Sequence, residues 1–343
     1  MAAQAQAGAL SGARAWIFSD GKAGHEAQAL GVADRLGVAA EIKRVAPGGL
    51  WKALAPWGPV APAERFGAAG SRFAPPWPDI AFAVGRQTIP YIRRLKSAAG
   101  LATYTVVLLD PKIGAGQADL FWVPDHDRRR GPNVIHTLVP PHRFSPQRLA
   151  ALRALPVPAI DSLPAPRVAV LIGGPNGDYR YGPDTVARLG RAITELAAGG
   201  ASLLVTPSRR TPAEIATLLT AATDGRPHYV WDGTGDNPYP QFLARADAFM
   251  VTADSINMTA EPCATGRPVY VFTPEGGSPK FTRFHDALNA CGATRPVPDP
   301  FRRLDAWTYR PLDSAAVIAA EIERRWMKRR QMLGPAPRRE ERP

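Results

Sequence analysis

The chain has 343 residues, of which 45% are hydrophobic and 21% charged, so it is long enough for two domains and has the composition of a folded protein. No run of about 18 apolar residues occurs, and no transmembrane helix is predicted. The net charge of +12 favours anionic partners such as phosphates or an acidic membrane surface. Nucleic acid is not an expected partner, because the basic residues do not alternate with stacking aromatic residues.

Cysteine usage and the N-terminus indicate a cytoplasmic protein. Met1–Ser11 has neither a basic flank nor a long apolar centre, so it is not read as a secretory signal. The two cysteines, Cys263 and Cys291, lack both CxxC spacing and neighbouring histidine pairs. We therefore expect a reducing compartment, no disulfide framework, no metal and no cofactor.

Strands and helices alternate in the N-terminal part, which predicts a Rossmann-like domain over residues 12–145. The predicted strands are Ala15–Phe18, Glu41–Val45, Ile80–Val84, Thr103–Leu109 and Leu120–Val123. The predicted helices are Glu26–Leu36 and Ile89–Ala98. Short apolar strands joined by helices imply parallel pairing through right-handed crossovers.

The pattern loosens after Arg143: a helix-like stretch, Pro146–Leu155, is followed by four prolines from Pro156 to Pro166, and we place the domain linker over residues 146–166. A second domain is predicted over 167–312, followed by a helix at 313–332 and a basic tail at 333–343. Its strands are Arg167–Ile172, Ser202–Val205, Tyr229–Trp231, Ala248–Thr252 and Val269–Phe272, and its helices include Thr185–Ala198 and Thr211–Ala222. Thr211 is expected to cap the latter helix, with Pro212 at its first position. The predicted fold class is α/β, with two Rossmann-like domains whose parallel sheets face a central cleft.

The first strand leads into a loop that carries a histidine between glycines, Asp20-Gly21-Lys22-Ala23-Gly24-His25. Histidine titrates near neutral pH, which suits a base that removes a proton from an acceptor hydroxyl, and Asp20 is the alternative base. Lys22 can hold an anionic group. The competing interpretation is a structural histidine beside an exposed lysine.

Four loops of the second domain follow strand ends, where parallel sheets bind ligands. They begin at Gly173, Thr206, Asp232 and Thr252. Glycines let the backbone approach a pyrophosphate, and arginine and serine side chains can complete its hydrogen bonds. The residues predicted to bind a nucleotide diphosphate, the donor if the protein is a sugar transferase, are Gly173, Gly174, Asn176, Ser208, Arg209, Arg210, Asp254, Ser255 and Glu261, the last on the ribose hydroxyls. The loops match neither GxxxxGK[ST] nor GxGxxG, and the alternative is that they are only turns.

Two further segments leave alternatives open. Asp125-His126-Asp127 has the DxD spacing of metal-dependent sugar transferases, but we interpret it as a loop-stabilising segment. Trp51–Trp57, followed by Phe66 and Phe73, could lie at a lipid interface or fold back onto its own domain.

Several motifs in the same order resemble the mitochondrial-fission Elm family, as found in its bacterial members. The resembling runs are SDGKAGHEAQ from Ser19, GRQ from Gly85, PDHD from Pro124, GGPN from Gly173, TPSRRTP from Thr206, DNPY from Asp236 and TADSINMTAEPCATG from Thr252. The family is in turn distantly similar to the MurG-type GT-B glycosyltransferases. There a Gly-rich turn with histidine, a Gly-Gly phosphate loop and a later Ser–Glu–Gly-x-Pro run stand where this chain has Gly21–His25, Gly173-Gly174 and Ser255 to Pro268. Ile256 and Pro262 depart from the pattern.

The resemblance implies a GT-B-type glycosyltransferase that moves a sugar from a nucleotide-sugar donor to a membrane-associated acceptor, such as a lipid-linked or envelope glycan. It assigns catalysis to His25 and Asp20, and acceptor binding to Ser19, Gly21, Lys22, Gly24, Gln28 and Arg86. Peripheral attachment to the cytoplasmic face of the inner membrane, at an anionic surface, would follow. Two alternatives remain open, namely a nucleotide-sugar epimerase and a peripheral-membrane scaffold with a vestigial enzyme fold.

Overall fold

The computed structural model describes residues 8–208 and 210–333, with only the backbone described at Ala216. The chain divides into two compact units. The first runs to Arg143 and resumes at Ser314, and the second spans Phe144–Asp313. Each is built around a parallel six-stranded sheet.

The sheet of the N-terminal unit has the order β2-β1-β3-β4-β5-β6. Its strands are β1 Arg14–Ser19, β2 Ala39–Arg44, β3 Ile80–Val84, β4 Tyr104–Leu108, β5 Leu120–Pro124 and β6 Val134–Thr137. Its helices are α1 Ala23–Leu36, α2 Gly49–Leu54 and α3 Ile89–Ala99. Strands β3, β4 and β5 are buried along their whole length, which explains their unbroken apolar sequences.

The main sheet of the C-terminal unit has the order β10-β9-β7-β11-β12-β14, and β8 and β13 form a separate antiparallel pair. The strands are β7 Arg167–Ile172, β8 Tyr179–Arg180, β9 Ser202–Pro207, β10 His228–Val230, β11 Ala248–Thr252, β12 Val269–Phe272, β13 Glu275–Gly276 and β14 Thr294–Pro296. The helices are α4 Pro146–Ala154, α5 Pro158–Asp161, α6 Pro183–Ala198, α7 Ala213–Thr223, α8 Tyr239–Arg245, α9 Ile256–Ala260 and α10 Pro279–Ala290.

Both strand orders are those of doubly wound α/β sheets. In such a sheet all strands are parallel, but successive strands are added first towards one edge and then, from a switch point, towards the other. In the N-terminal unit this switch point lies between β1 and β3, and in the C-terminal unit it lies between β7 and β11. Ligands of such sheets bind outside the carboxyl ends of the strands at the switch point. The fold therefore directs attention to the loops after these four strands.

The last helix, α11 Ser314–Leu333, belongs to the N-terminal unit. Ile318 and Ile322 are fully buried in the same core cluster as Val32 of α1. Residues 146–166, which the sequence predicted as a linker, contain α4 and α5 and belong to the C-terminal unit.

The predicted α/β class with two Rossmann-like domains is confirmed. Strands β3, β7, β11 and β12 have the predicted limits. Prediction missed the short strands β6 and β14 and the helices α2, α8 and α10. The predicted cap of α7 is wrong, because this helix begins at Ala213 after Pro212, and the Thr211 hydroxyl donates to the carbonyl of Gly173 at 2.6 Å instead.

Candidate functional site

An Asp–His pair lies at the carboxyl end of β1. Nδ1 of His25 is 2.9 Å from Oδ1 of Asp20, whose side chain is only 4% exposed, while the His25 side chain is 21% exposed. Burial acts to raise the pKa of Asp20, but the hydrogen bond and charge of His25, together with the backbone N–H and charge of Lys22, outweigh it and the pKa is lowered. Because the ionised carboxylate can only accept, Nδ1 carries the proton and Nε2 of a neutral ring keeps its lone pair.

Gly85, in the loop after β3, makes room for this pair. A Cβ at this position would lie 2.7 Å from Oδ2 of Asp20 and 2.9 Å from Nδ1 of His25, and the φ of +95° also favours glycine. The loops after β1 and β3 therefore meet at the switch point of the sheet. This contact joins two motifs that the sequence showed separately.

Ser19 and Glu26 hold the loop in shape. The Ser19 hydroxyl donates to Glu26 at 2.8 Å and accepts from the N–H of Gly21 at 2.9 Å. Hydrogen bonds from Arg44 lower the pKa of Glu26. Ser19 is buried, so its contacts are those of a structural residue.

The other predicted acceptor-binding residues have different surroundings. Lys22 is 70% exposed with Nζ 3.4 Å from Asp20, and Gly24 is half-buried beside it. Gln28 is buried within α1. Arg86 is exposed and donates to the carbonyl oxygen of Ala53 at 2.8 Å. Of this set, Lys22 has the most accessible charged group next to the Asp–His pair.

In the C-terminal unit, the buried carboxylate of Asp254 joins the loops after β7, β9 and β11. It accepts hydrogen bonds from the N–H of Gly174 at 3.0 Å, from the hydroxyl of Thr252 at 2.7 Å and from the hydroxyl of Tyr181 at 2.8 Å. The guanidinium of Arg210 lies 3.3 Å away. The carboxylate is thus fully engaged within the protein.

The same loops explain Gly173 and Gly174. A Cβ on Gly173 would lie 2.1 Å from Asp254, and a Cβ on Gly174 would lie 2.1 Å from the carbonyl oxygen of Arg210. The N–H of Gly173 donates to the Thr252 hydroxyl at 2.8 Å. Packing among the loops themselves therefore requires both glycines.

Asn176 closes the turn after Gly174. Its Nδ2 donates to the carbonyl oxygen of Asp254 at 2.9 Å, and its Oδ1 accepts from the N–H groups of Asp178 and Tyr179 at 2.8 Å each. Like Asp254, this side chain holds the loop cluster together.

Ser208 and Arg210 follow β9 at the edge of this cluster. The Ser208 hydroxyl lies 3.2 Å from that of Thr211. The Arg210 side chain is 48% exposed and donates to the carbonyl oxygen of Pro175 at 3.2 Å. It is therefore a guanidinium that has a buried counterion and still faces solvent. The predicted donor residue Arg209 lies outside the described residues.

Ser255 and Glu261 occupy the two ends of α9. The Ser255 hydroxyl caps the helix by accepting from the N–H of Met258 at 3.3 Å. Glu261 follows the last residue of α9 and accepts a hydrogen bond from the Tyr239 hydroxyl. Burial raises the pKa of Glu261 to about 7, while the Tyr239 hydrogen bond acts in the opposite direction. A carboxylate of this kind is typical of functional sites, because burying it is unfavourable for stability.

Sequence reasoning missed four side chains that organise these loops. Thr252 and Tyr181 bind Asp254, Tyr239 binds Glu261, and Nε2 of His285 in α10 lies 2.9 Å from the carbonyl oxygen of Ala253. Tyr239 was visible within the DNPY run and Thr252 at the end of a predicted strand. Tyr181 and His285 had no sequence signal, because their contacts join segments far apart in the chain.

Within residues 8–208 and 210–333, no cluster of three His, Cys, Asp or Glu side chains is arranged to hold a metal ion. Near the DxD segment, Oδ1 of Asp125 lies 3.9 Å from Nδ1 of His136. None of the helices in this described part has the length and apolar character needed to cross a bilayer.

Residues 23–326 match the model of a family described as Mitochondrial fission ELM1. The chain belongs to the mitochondrial fission ELM1 family. This confirms the family predicted from the motifs. The Arabidopsis thaliana mitochondrial fission protein ELM1 is 29% identical over 272 residues, which are 72% of this chain and 64% of that protein. This ELM1-family chain thus matches less than two thirds of that relative's length.

Solved structures share the architecture of this ELM1-family chain. A Listeria monocytogenes protein assigned as a UDP-N-acetylglucosamine 2-epimerase aligns with a TM-score of 0.50 and 10% identity, over 95% of this chain and 99% of that one. MurG of Acinetobacter baumannii aligns with a TM-score of 0.47 and 14% identity, over 83% and 85% of the two chains. At such identities the likeness concerns the fold.

Proposed function

We propose that this protein is a GT-B-type glycosyltransferase that moves a sugar from a nucleotide-sugar donor to a membrane-associated acceptor. The observation that carries the proposal is the Asp20–His25 pair at the switch point of the N-terminal sheet. A buried carboxylate that orients a partly exposed imidazole is the arrangement that a general base requires.

In the proposed reaction, Nε2 of His25 takes the proton from the acceptor hydroxyl as its oxygen attacks the anomeric carbon of the sugar. The bond between that carbon and the leaving phosphate oxygen breaks, and the nucleoside diphosphate departs with the electron pair. Asp20 stabilises the imidazolium that forms and keeps Nδ1 protonated. Lys22 binds an anionic group of the acceptor.

The C-terminal unit binds the donor in this proposal. The exposed part of the Arg210 guanidinium contacts the diphosphate and offsets the charge that develops on it, and the hydroxyls of Ser208 and Ser255 donate to its oxygens. The backbone of Gly173 and Gly174 forms the wall of the site, whereas Asp254 and Asn176 position these groups without touching the donor. Arg209 remains a proposed donor ligand on sequence grounds.

Glu261 supports binding of a ribose. Its carboxylate can accept from two vicinal hydroxyls, which would compensate for the burial that raises its pKa to about 7. In an inactive scaffold a carboxylate in this largely buried position would destabilise the protein whenever it is ionised. Its presence therefore favours a working nucleotide site over a vestigial one.

The first test is thermal unfolding of the purified protein with UDP, GDP, CMP and ADP and their sugar conjugates. A ligand at 100 times its Kd stabilises the folded state by about 2.7 kcal/mol, which a melting curve resolves. We expect one nucleotide to raise the Tm and Glu261→Ala to abolish that rise. No rise with any nucleotide would favour the scaffold.

The second test follows sugar transfer from the identified donor to membrane extracts. His25→Ala should lower kcat by about 10²–10⁴ while leaving the nucleotide-dependent Tm rise intact. His228→Ala, at an exposed histidine of β10, is the matched control and should change neither. Equal kcat for wild type and His25→Ala would contradict the assigned base.

The epimerase is distinguished by incubating the donor alone. Interconversion of the sugar nucleotide without any acceptor would identify an epimerase and refute transfer as the main reaction. Donor that stays unchanged until acceptor is added is the result expected for a transferase.

A further inference from the structure

Three large apolar side chains of the N-terminal unit are exposed within one short segment. Leu50 is 65% exposed, Leu54 42% and Trp57 61%. We call these three residues the apolar patch. They lie on α2 and the turn that follows it, where the N–H of Trp57 donates to the carbonyl oxygen of Leu54 at 3.0 Å. Clustered exposed apolar side chains are unfavourable in water and mark interaction surfaces.

The segment under the apolar patch is held firmly by its own unit. Arg86 donates to the carbonyl oxygen of Ala53 at 2.8 Å, and Arg93 donates to those of Pro56 and Trp57 at 3.1 and 2.7 Å. Ala55 and Pro56 are buried. The outward-facing side chains are thus presented on a fixed backbone.

The inner aromatic residues of this region answer the question that the sequence left open. The rings of Phe66 and Phe73 stack at a centroid distance of 5.2 Å, and Phe73 is completely buried. These two residues belong to the core of the domain. The apolar patch, in contrast, has nothing packed over it in the described chain.

The apolar patch is accompanied by positive charge without acidic partners. The side chains of Lys52, Arg65 and Arg94 are exposed, and among the described residues the structure gives none of these three side chains a hydrogen bond or ion pair. Arg65 and Arg94 line the same cavity of about 370 Å³, together with Pro59–Pro62. The neighbouring Glu64 is already bound by Arg72 and Tyr91.

We propose that the apolar patch and these cations dock onto a bilayer that contains anionic phospholipids. Leu50, Leu54 and Trp57 enter the headgroup region, and Arg65 and Arg94 bind lipid phosphates. The charge favours this occupant over a second copy of the chain, because a symmetric contact would bring unpaired cations face to face. This surface gives the membrane-associated acceptor of the proposed function its physical basis.

The test is cosedimentation of the full chain with vesicles of phosphatidylcholine, with and without phosphatidylglycerol. We expect binding only with phosphatidylglycerol, weakened by added salt. Arg65→Gln with Arg94→Gln should weaken binding about 25-fold, at about fivefold for each cation. Arg302→Gln with Arg303→Gln, exposed in the other unit, is the matched control and should leave binding unchanged.

A second measurement reports on insertion. Brominated lipid should quench the tryptophan fluorescence of the wild type more than that of Trp57→Phe. Leu50→Ser should weaken vesicle binding, whereas the control Leu155→Ser, at an exposed leucine of the other unit, should not. All these positions are exposed, so unchanged melting curves will show that the variants fold. Loss of self-association in the Leu50 variant without any vesicle binding would identify a second copy as the occupant and refute the proposal.

Vesicle binding is measured without nucleotide, so its outcome is independent of sugar transfer. Equal vesicle binding by the wild type, the Arg65→Gln/Arg94→Gln variant and the Leu50→Ser variant would overturn the docking surface, even if transfer to a soluble acceptor were active. Docking as expected, with no response to any nucleotide, would instead refute the transferase and keep the surface.

Discussion

Replacing Glu261 with glutamine should stabilise the protein at pH 8 but not at pH 4.5. Burial raises the pKa of this carboxyl to about 7 from its usual 4.5. At about 1.4 kcal/mol per pH unit, the rise corresponds to about 3 kcal/mol. Between the unfolded-state pKa of 4.5 and the folded-state pKa of about 7, the folded protein holds the proton more tightly than the unfolded chain, so the free energy of unfolding falls as the pH rises. The full penalty is present above pH 7.

Glutamine carries no charge and still offers an oxygen to the Tyr239 hydroxyl. We therefore expect Glu261→Gln to raise the free energy of unfolding by up to about 3 kcal/mol at pH 8, with the difference declining towards pH 4.5. The partly exposed surface of Glu261 makes this figure an upper limit. The same variant should lose nucleotide binding, because a neutral amide is a weaker acceptor for ribose hydroxyls.

Urea unfolding of wild type and variant at several pH values between 4.5 and 8 measures the difference. Glu214→Gln, at an exposed position of α7, is the matched control and should show no pH-dependent change. A Glu261→Gln variant whose stability follows that of wild type at every pH would refute the reasoning. It would mean that the carboxyl is hydrated in the folded protein.

Three further substitutions test the loops. Gly85→Ala should force apart Asp20 and His25 and so lower both kcat and stability. The control is Gly70→Ala, where φ is also positive, at +74°, but a Cβ would meet no atom within 4 Å; it should lower stability alone. Melting curves report the stability of each variant, and kcat reports the damage to the Asp–His pair. Asp254→Asn should lower the free energy of unfolding in urea by about 3 kcal/mol, because one amide oxygen cannot replace a carboxylate that accepts from several donors. Unchanged stability would contradict the role of Asp254 in holding the loops after β7, β9 and β11 together. Asp20→Asn should cost stability at pH 7, because a carboxyl with a lowered pKa stabilises the fold while it is ionised. This cost should decline once the pH falls below 3.8 and disappear as the pH passes through the lowered pKa of the folded protein. A cost that persists in strong acid would point to packing instead.

Local sequence identified most of the sheet. Strands β3, β7, β11 and β12 are runs of buried apolar residues bounded by polar or glycine-containing loops, so their limits could be read directly. The short strands β6 and β14 could not, because three or four residues give too little periodicity. Helix α10 begins within a run of glycine, serine and proline, which gives no helix signal, and it was not predicted.

The sequence predicted most of the candidate site residues, but it predicted few of the side chains that contact them. Ligand loops follow strand ends, so Asp20, His25, Gly173 and Glu261 were found as soon as the strands were. Their partners were not predictable. The hydroxyl that donates to Glu261 belongs to Tyr239 of α8, and the side chains that make Gly85 necessary come from the loop after β1.

The sequence by itself determined which segments become strands and which loops follow them, because burial pattern, glycine and proline act over a few residues. Only the tertiary structure decided which strands are neighbours. The order of the sheet brings the β1 and β3 loops together around Asp20 and His25, and the β7 and β11 loops together around Asp254. Pairing between distant strands depends on the packing of the whole domain, and it decides which polar groups bind one another and which remain for a ligand.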